Sequence, residues 1–261
     1  MNATILEQVK QDLRRLYLGD MAQSLGQVLE TAQSERQGHP DFLSRLLSVQ
    51  LQARQARPLQ NRVRKAGFPQ NMTFESFDWS FQPGLNVEYL KDLQHLGFIS
   101  QHQPLLLVGK TGTGKSHLAT SFGIRACEAG FKVRFFEFQK LLSLLYATLA
   151  DDSTDLLLAK LTALHLLIID GMDHIRTKPE YPSLLLELVS ACQNRTALIV
   201  TSRISFQELG SVLGNPSITH AILDRLFHRA MVINLHQGRS YRTEGPHAPK
   251  QLQESPPSPL D

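Results

Sequence analysis

Cysteine is nearly missing from this chain: its 261 residues hold only Cys127 and Cys192. The two lie far apart and neither falls in a CxxC or Cys/His ligand spacing. That excludes a disulfide framework or a zinc site and leaves both as expected small, reduced core residues. Long apolar runs are missing too. The longest, around Leu105 to Val108 and Leu164 to Ile169, are strand-sized and well short of the roughly 20 residues a bilayer span needs, so no membrane partner is expected. The amino terminus, MNATILEQVKQDLRRL, lacks the apolar centre and small-residue cleavage site of a secretory signal, which predicts a cytoplasmic location. A net charge of +3 is too slight to imply a polyanionic partner, and only its distribution could. What is present, 42% hydrophobic and 20% charged residues, suits a globular chain with a sizeable core. The length predicts one domain with a smaller appendage.

Apolar residues at three- and four-residue steps predict helices at the start of the chain. The runs are Ile5, Leu6, Val9, Leu13, Leu16 and Tyr17; Met21, Leu25, Val28 and Leu29; and Phe42, Leu43, Leu46, Leu47 and Leu51. Gly19-Asp20 and Gly38-His39-Pro40 separate them, and Pro58 is expected to end or kink the third helix. Residues 1–68 are therefore read as a helical module, to which the resemblance described below adds a role in assembly or DNA contact. Between Phe42 and Phe74 there is no Asp or Glu, whereas Arg45, Arg54, Arg57, Arg62, Arg64 and Lys65 all fall there. That imbalance fits a solvated helix face, or a surface contacting DNA phosphates through Arg54, Arg57, Arg62, Arg64 and Lys65.

Residues 69–102 read as a linker and lead-in helix. Phe68, Phe74, Phe77, Trp79 and Phe81 are better taken as anchors to the neighbouring domain than as a base-stacking platform. From Gln103 the pattern changes to PLLLVG, FKVRFFEF, LHLLIID, TALIVTS and AMVINL, with amphipathic stretches between. Five buried strands with helical crossovers predict an α/β fold: a three-layer core with a parallel five-stranded sheet over residues 103–242. Residues 243–261, rich in Pro and polar side chains, are expected to be disordered.

Gly109-Lys110-Thr111-Gly112-Thr113-Gly114-Lys115-Ser116 is a complete GxxxxGK[ST] motif between the first of these strands and a helix. Glycines let backbone N–H groups converge on phosphate oxygens, and the helix presents its positive dipole end to them. Lys115 is expected to reach the β and γ phosphates and Ser116 to hold Mg²⁺, with His117 adjoining the site. The strand LLIID ends in Asp170, placed to hold the same Mg²⁺, which makes ATP and Mg²⁺ the expected cofactors. ATPases with an additional strand here usually carry Glu next, to polarise the attacking water. This chain has Gly171. Asp173 could reach the same side, although it reads better as a turn residue. Nucleotide binding is thus better supported than fast hydrolysis.

Beyond the phosphate motif, five stretches carry a resemblance: FPQNMTFESFDWSFQPGLN, LLLVGKTGTGKSHLATSFGIRACEAGFKV, LLIIDGMDHI, LIVTSRISFQELGSVLGNP and AILDRLFHRAMVINLHQGRSYR. With them the chain resembles the IstB kind of ATP-binding transposition helper, related to DnaC-type helicase loaders within the AAA+ ATPases. The resemblance implies a helical module ahead of an AAA+ core. It also implies homo-oligomers formed with nucleotide on double-stranded DNA, and a transposase or integrase as partner. It makes Gly109 to Ser116 the Walker A element and Asp170 the Walker B aspartate. It puts Arg203 at a sensor position that is ordinarily Asn, and an Arg cannot accept a hydrogen bond from water as an amide can. It makes Arg225 the arginine finger offered to a neighbouring subunit, and leaves Arg242 as a phosphate or DNA candidate. A replicative helicase loader and a nucleotide-gated DNA clamp with little turnover remain alternatives, whereas a small-molecule kinase would need a lid and an acid for its acceptor.

Overall fold

The structure, a computed structural model, describes residues 3–172, 178–204, 208 and 215–246. Asp173 and most of the Pro-rich tail lie outside the described residues. The chain divides into two compact units, one up to Asn61 and one from Arg62.

In the first unit, α1 (Ala3–Arg15) and α2 (Gly19–Ser34) precede most of α3 (His39–Ala66), whose residues from Arg62 on belong to the second. Met21, Leu25 and Val28 of α2 and Leu46 of α3 form a small buried core, with Leu6 and Leu13 of α1 packed against it. These are the positions that a 3.6-residue period places on one helix face. The helix breaks fall at the expected Gly and Pro signals, but Pro58 does not end α3, which continues to Ala66. A mid-helix proline deletes one i→i−4 bond, and the remaining ladder carries the helix on. Gly67, at φ +75°, takes the left-handed conformation just past its end. Helix α3 carries no acid beyond Asp41 in its first turn, and two of its cations find partners on α2 and its C-cap: Arg57 Nη2 lies 2.6 Å from Asp20 Oδ2, and Arg45 Nη1 lies 3.1 Å from Glu35 Oε2.

The second unit is built on five parallel strands: β1 (Leu105–Val108), β2 (Val133–Glu137), β3 (Leu166–Asp170), β4 (Ala197–Ser202) and β5 (Met231–Asn234). Their order across the sheet is β2-β3-β4-β1-β5. The sequence reading of five buried strands needs one correction. β1, β3 and β4 are buried on both faces, whereas β2 and β5 form the edges and expose Arg134 and Val232. An edge strand keeps one side open to solvent, so its pattern alternates.

Among the described residues, the helices after α3 are α4 (Val87–Leu93), α5 (Gly97–Ser100), α6 (Lys115–Glu128), α7 (Phe138–Ala147), α8 (Thr154–Thr162), α9 (Tyr181–Cys192), α10 (Pro216–Phe227) and α11 (Tyr241–Glu244). On one sheet face Leu106, Leu167, Ile169, Leu198 and Val200 join Leu141, Leu145, Leu185, Leu188, Ile222 and Leu226 from α7, α9 and α10 in one core cluster. Helix α6 packs against β1 to β4. Its Phe122 meets Phe74 edge-on at 4.8 Å and Phe98 at 5.9 Å, so the linker is anchored through aromatic contacts. Cys127 and Cys192 are free and buried, and burial pushes their thiols up to about 11 and about 12. Thiols so shifted stay protonated and unreactive at neutral pH.

Candidate functional site

Ligands of parallel α/β sheets gather at the carboxyl ends of the strands, where loops and helix N-termini converge. Here β1, β3 and β4 end together. The loop from Gly109 to Gly114 leaves β1 and opens α6, with Gly112 at φ +81° and Gly114 at φ +91°, a region that costs any L side chain strain. Gly109 is needed for a different reason: a Cβ there would come within 2.7 Å of Leu235 Cβ. The loop is fastened at both ends, as Gly109 N–H donates to Ser202 O at 3.2 Å and Tyr241 N–H donates to Gly112 O at 3.0 Å. Thr113 Oγ1 donates to Lys110 O at 2.8 Å.

Lys115 is buried under this loop, its Nζ donating to Gly109 O at 2.6 Å and Lys110 O at 2.7 Å. An ammonium held this way can exchange a carbonyl for a phosphate oxygen without leaving the loop, a stronger, charge-assisted bond. Ser116 Oγ donates to Asp170 Oδ1 at 2.8 Å and Oδ2 at 2.9 Å. A hydroxyl and a carboxylate beside the phosphate loop are hard oxygen donors, the set that suits Mg²⁺. No cluster of three or more His, Cys, Asp or Glu that could cage a metal occurs among the described residues, which is compatible with Mg²⁺, a cation usually held by few protein ligands and substrate phosphates.

These groups line a cavity of about 450 Å³, within the roughly 300 to 1,000 Å³ typical of small-molecule sites. One wall is the loop from Thr111 to His117 with Asp170, Gly171, Thr201 and Arg203; the other includes Met72, Phe77, Phe81 and Tyr241. The second wall is assembled from distant segments. Phe81 meets Tyr241 edge-on at 4.9 Å, and the Arg239 guanidinium stacks over the Phe81 ring at 4.6 Å. Arg239 N–H also donates to Phe81 O at 3.0 Å.

Sequence reasoning missed Phe77, Phe81 and Tyr241 as cavity lining. It also missed Thr201, whose Oγ1 donates to Asp170 Oδ1 at 2.6 Å and accepts Gly171 N–H at 2.9 Å. A polar residue ending a buried strand was the available signal.

The remaining candidates are placed unequally. His117 turns from the loop to the linker, with Nε2 2.8 Å from Thr73 O and 3.2 Å from Ser76 Oγ. Gly171 sits at φ +75°, and an added Cβ would meet nothing within 4 Å; room exists for a side chain, but in a strained backbone. Arg203 and Arg242 line the cavity. Arg225 does not line it and donates from Nη1 to Ala221 O within α10 at 2.9 Å. Of the basic candidates, Arg54 and Arg64 are exposed, while Arg57 pairs with Asp20. Arg62 Nε donates to Cys127 O at 2.7 Å. Lys65 keeps an exposed side chain while its carbonyl accepts from Arg134 at 2.9 Å.

The family model for IstB-like ATP binding protein matches residues 11–247. The chain belongs to this family. It is 30% identical over 230 residues to the ATP-binding protein of insertion sequence IS21 from Pseudomonas aeruginosa, covering 88% of this chain and 86% of that one. It is also 30% identical over 236 residues to the ATP-binding protein of insertion sequence IS5376 from Geobacillus stearothermophilus, covering 90% and 94%. Among solved structures, AMPPCP-bound DnaA from Aquifex aeolicus is similar with a TM-score of 0.55 at 16% identity, over 68% of this chain and 54% of that chain. DnaI is similar with a TM-score of 0.53 at 14% identity, over 63% and 91%. At such identities the structural likeness is one of fold: an AAA+ P-loop core, as the IstB-like resemblance implied. No described helix is long and apolar enough to cross a membrane.

Proposed function

We propose that this IstB-like chain is an ATP-dependent helper of insertion-sequence transposition. It binds ATP with Mg²⁺ in the 450 Å³ cavity, assembles with copies of itself on double-stranded DNA, and cooperates with a transposase. The observation that carries the reading is the pairing of Ser116 with Asp170 at 2.8 and 2.9 Å beside a complete phosphate loop, in a chain similar along most of its length to insertion-sequence ATP-binding proteins. Lys115 and the loop amides bind the phosphates. Ser116 and Asp170 hold Mg²⁺, which when bound neutralises charge on the β and γ phosphates. Arg225, absent from its own chain's cavity, serves the γ-phosphate of a neighbouring copy. Exposed Arg54, Arg64 and Lys65 contribute to phosphate contacts on DNA.

Turnover is slow in this reading, because Gly171 offers no carboxylate to orient water and a positioned general base is worth about 10² to 10⁴ in rate. Binding of a fluorescent ATP analogue with and without Mg²⁺, followed by DNA binding with and without ATP across a salt series, tests the proposal. Tight Mg²⁺-assisted ATP binding and ATP-assisted, salt-sensitive DNA binding are expected. A chain that binds no ATP, or binds DNA identically in its absence, would overturn it. Neutralising Arg54, Arg64 and Lys65 together should flatten the slope of log affinity against log salt by up to about three units.

A further inference from the structure

Asp170 is held from two sides. Ser116, on the first turn of α6, donates to both of its carboxylate oxygens, and Thr201, on β4 between the strands bearing the two motifs, donates to Oδ1 at 2.6 Å. A hydroxyl has one proton and two lone pairs. Thr201 therefore spends its proton on Asp170 and one lone pair on Gly171 N–H, at 2.9 Å. Its backbone carbonyl accepts Met172 N–H at 2.9 Å. The turn after β3 is thus moored to Thr201 by side chain and main chain together, and Asp170 stands at the moored end. Thr201 itself is 1% exposed, in a strand buried at all six positions.

We infer that Thr201 is a positioning residue for the metal-facing carboxylate, setting the rotamer in which Asp170 offers an oxygen beside Ser116. The inference rests on the ATP and Mg²⁺ reading above. A rotating carboxylate would have to be ordered when Mg²⁺ arrives; one already hydrogen-bonded by a buried hydroxyl is pre-organised, as outer-shell partners of metal ligands generally are. The mooring also accounts for glycine at 171. At φ +75° its N–H reaches the Thr201 hydroxyl, and this backbone conformation strains any residue with a Cβ.

Thr201→Val keeps the shape and deletes the hydroxyl; Thr201→Ser restores it. Affinity for the fluorescent ATP analogue is measured for wild type and both variants with Mg²⁺ and with EDTA, alongside thermal melting. Thr201→Val should lose about tenfold of the Mg²⁺-dependent gain in affinity, in line with losing an outer-shell partner, while EDTA affinity stays within about twofold. Thr201→Ser should keep the wild-type gain. Should Thr201→Val not fold, Thr201→Ala replaces it with the same expectation. An unchanged Mg²⁺-dependent gain in the hydroxyl-free variant would overturn the inference alone. So would an equal loss with and without Mg²⁺, or a failure of Thr201→Ser to rescue. A wild type with ATP affinity indifferent to Mg²⁺ would overturn the cofactor reading, and the inference with it.

Discussion

The two walls of the cavity are made in opposite ways. The phosphate wall is chiefly one continuous stretch, Thr111 to His117, joined by Asp170, Gly171 and Thr201 from the neighbouring strand ends. Its chemistry is polar and charge-assisted: a buried ammonium on two carbonyls, two hydroxyls on one carboxylate. The aromatic wall draws Phe77 and Phe81 from before the core and Tyr241 from beyond its last strand, and is held by ring edges and a stacked guanidinium. On the ATP reading proposed above, the phosphates would fall to the first wall and the base to the second. Charged donors are worth most against phosphate, whereas aromatic faces stack against a flat base whatever its sequence identity.

That division can be broken by comparing ATP with inorganic triphosphate, which has the phosphates and no base. The largest effect should come from Lys115→Ala, which removes the ammonium from the phosphate wall. Losing one to two charge-assisted bonds at about 1.5 to 3 kcal/mol each should weaken ATP and triphosphate alike by about 100-fold. Unchanged ATP affinity in a competition assay would remove the phosphate wall from the argument altogether. Next comes Asp170→Asn, which keeps the hydrogen-bonding shape and loses the charge. Affinity with Mg²⁺ should fall by about tenfold or more for both ligands, and affinity in EDTA should hold or improve, because a carboxylate near phosphates repels them without a cation.

The aromatic wall should give smaller effects of a different kind. Phe81→Ala and Tyr241→Ala each remove one partner of an edge-on pair. Stacking worth about 0.5 to 1.5 kcal/mol predicts roughly 2- to 12-fold weaker ATP binding and no change for triphosphate. Loss of triphosphate binding in either variant would mean that this wall shapes the phosphate loop rather than receiving a base. The last effect falls on stability and leaves binding aside, and it concerns the seam between strand and turn. Gly171→Glu places a side chain at φ +75°, costing about 1 to 2 kcal/mol of stability. That corresponds to a melting shift of roughly 2 to 8 °C for a unit of this size. An undiminished melting temperature would show that the turn relaxes freely, and the mooring to Thr201 would then be weak.

What the sequence determined by itself is whatever depends on local chain geometry. Apolar residues at helical steps marked α1 to α3, and short apolar runs marked all five strands, because each element repeats its apolar residues at its own period. The phosphate loop was legible for the same reason: its glycines, lysine and serine must sit at fixed spacing between a strand and a helix. Asp170 was legible once that loop was placed, being the carboxylate at the end of a buried strand. Only the tertiary structure decided the rest. Strand order set β4 between β1 and β3 and so brought Thr201, 31 residues on, to Asp170. Folding back of the segment after β5 brought Tyr241 to Phe81. It also decided what two cations of α3 face: Asp20 answers Arg57 from another helix, and the Cys127 carbonyl takes Arg62. Pairings between residues far apart in the chain leave no period or spacing in the sequence, because the groups that choose each other meet only after the backbone has folded.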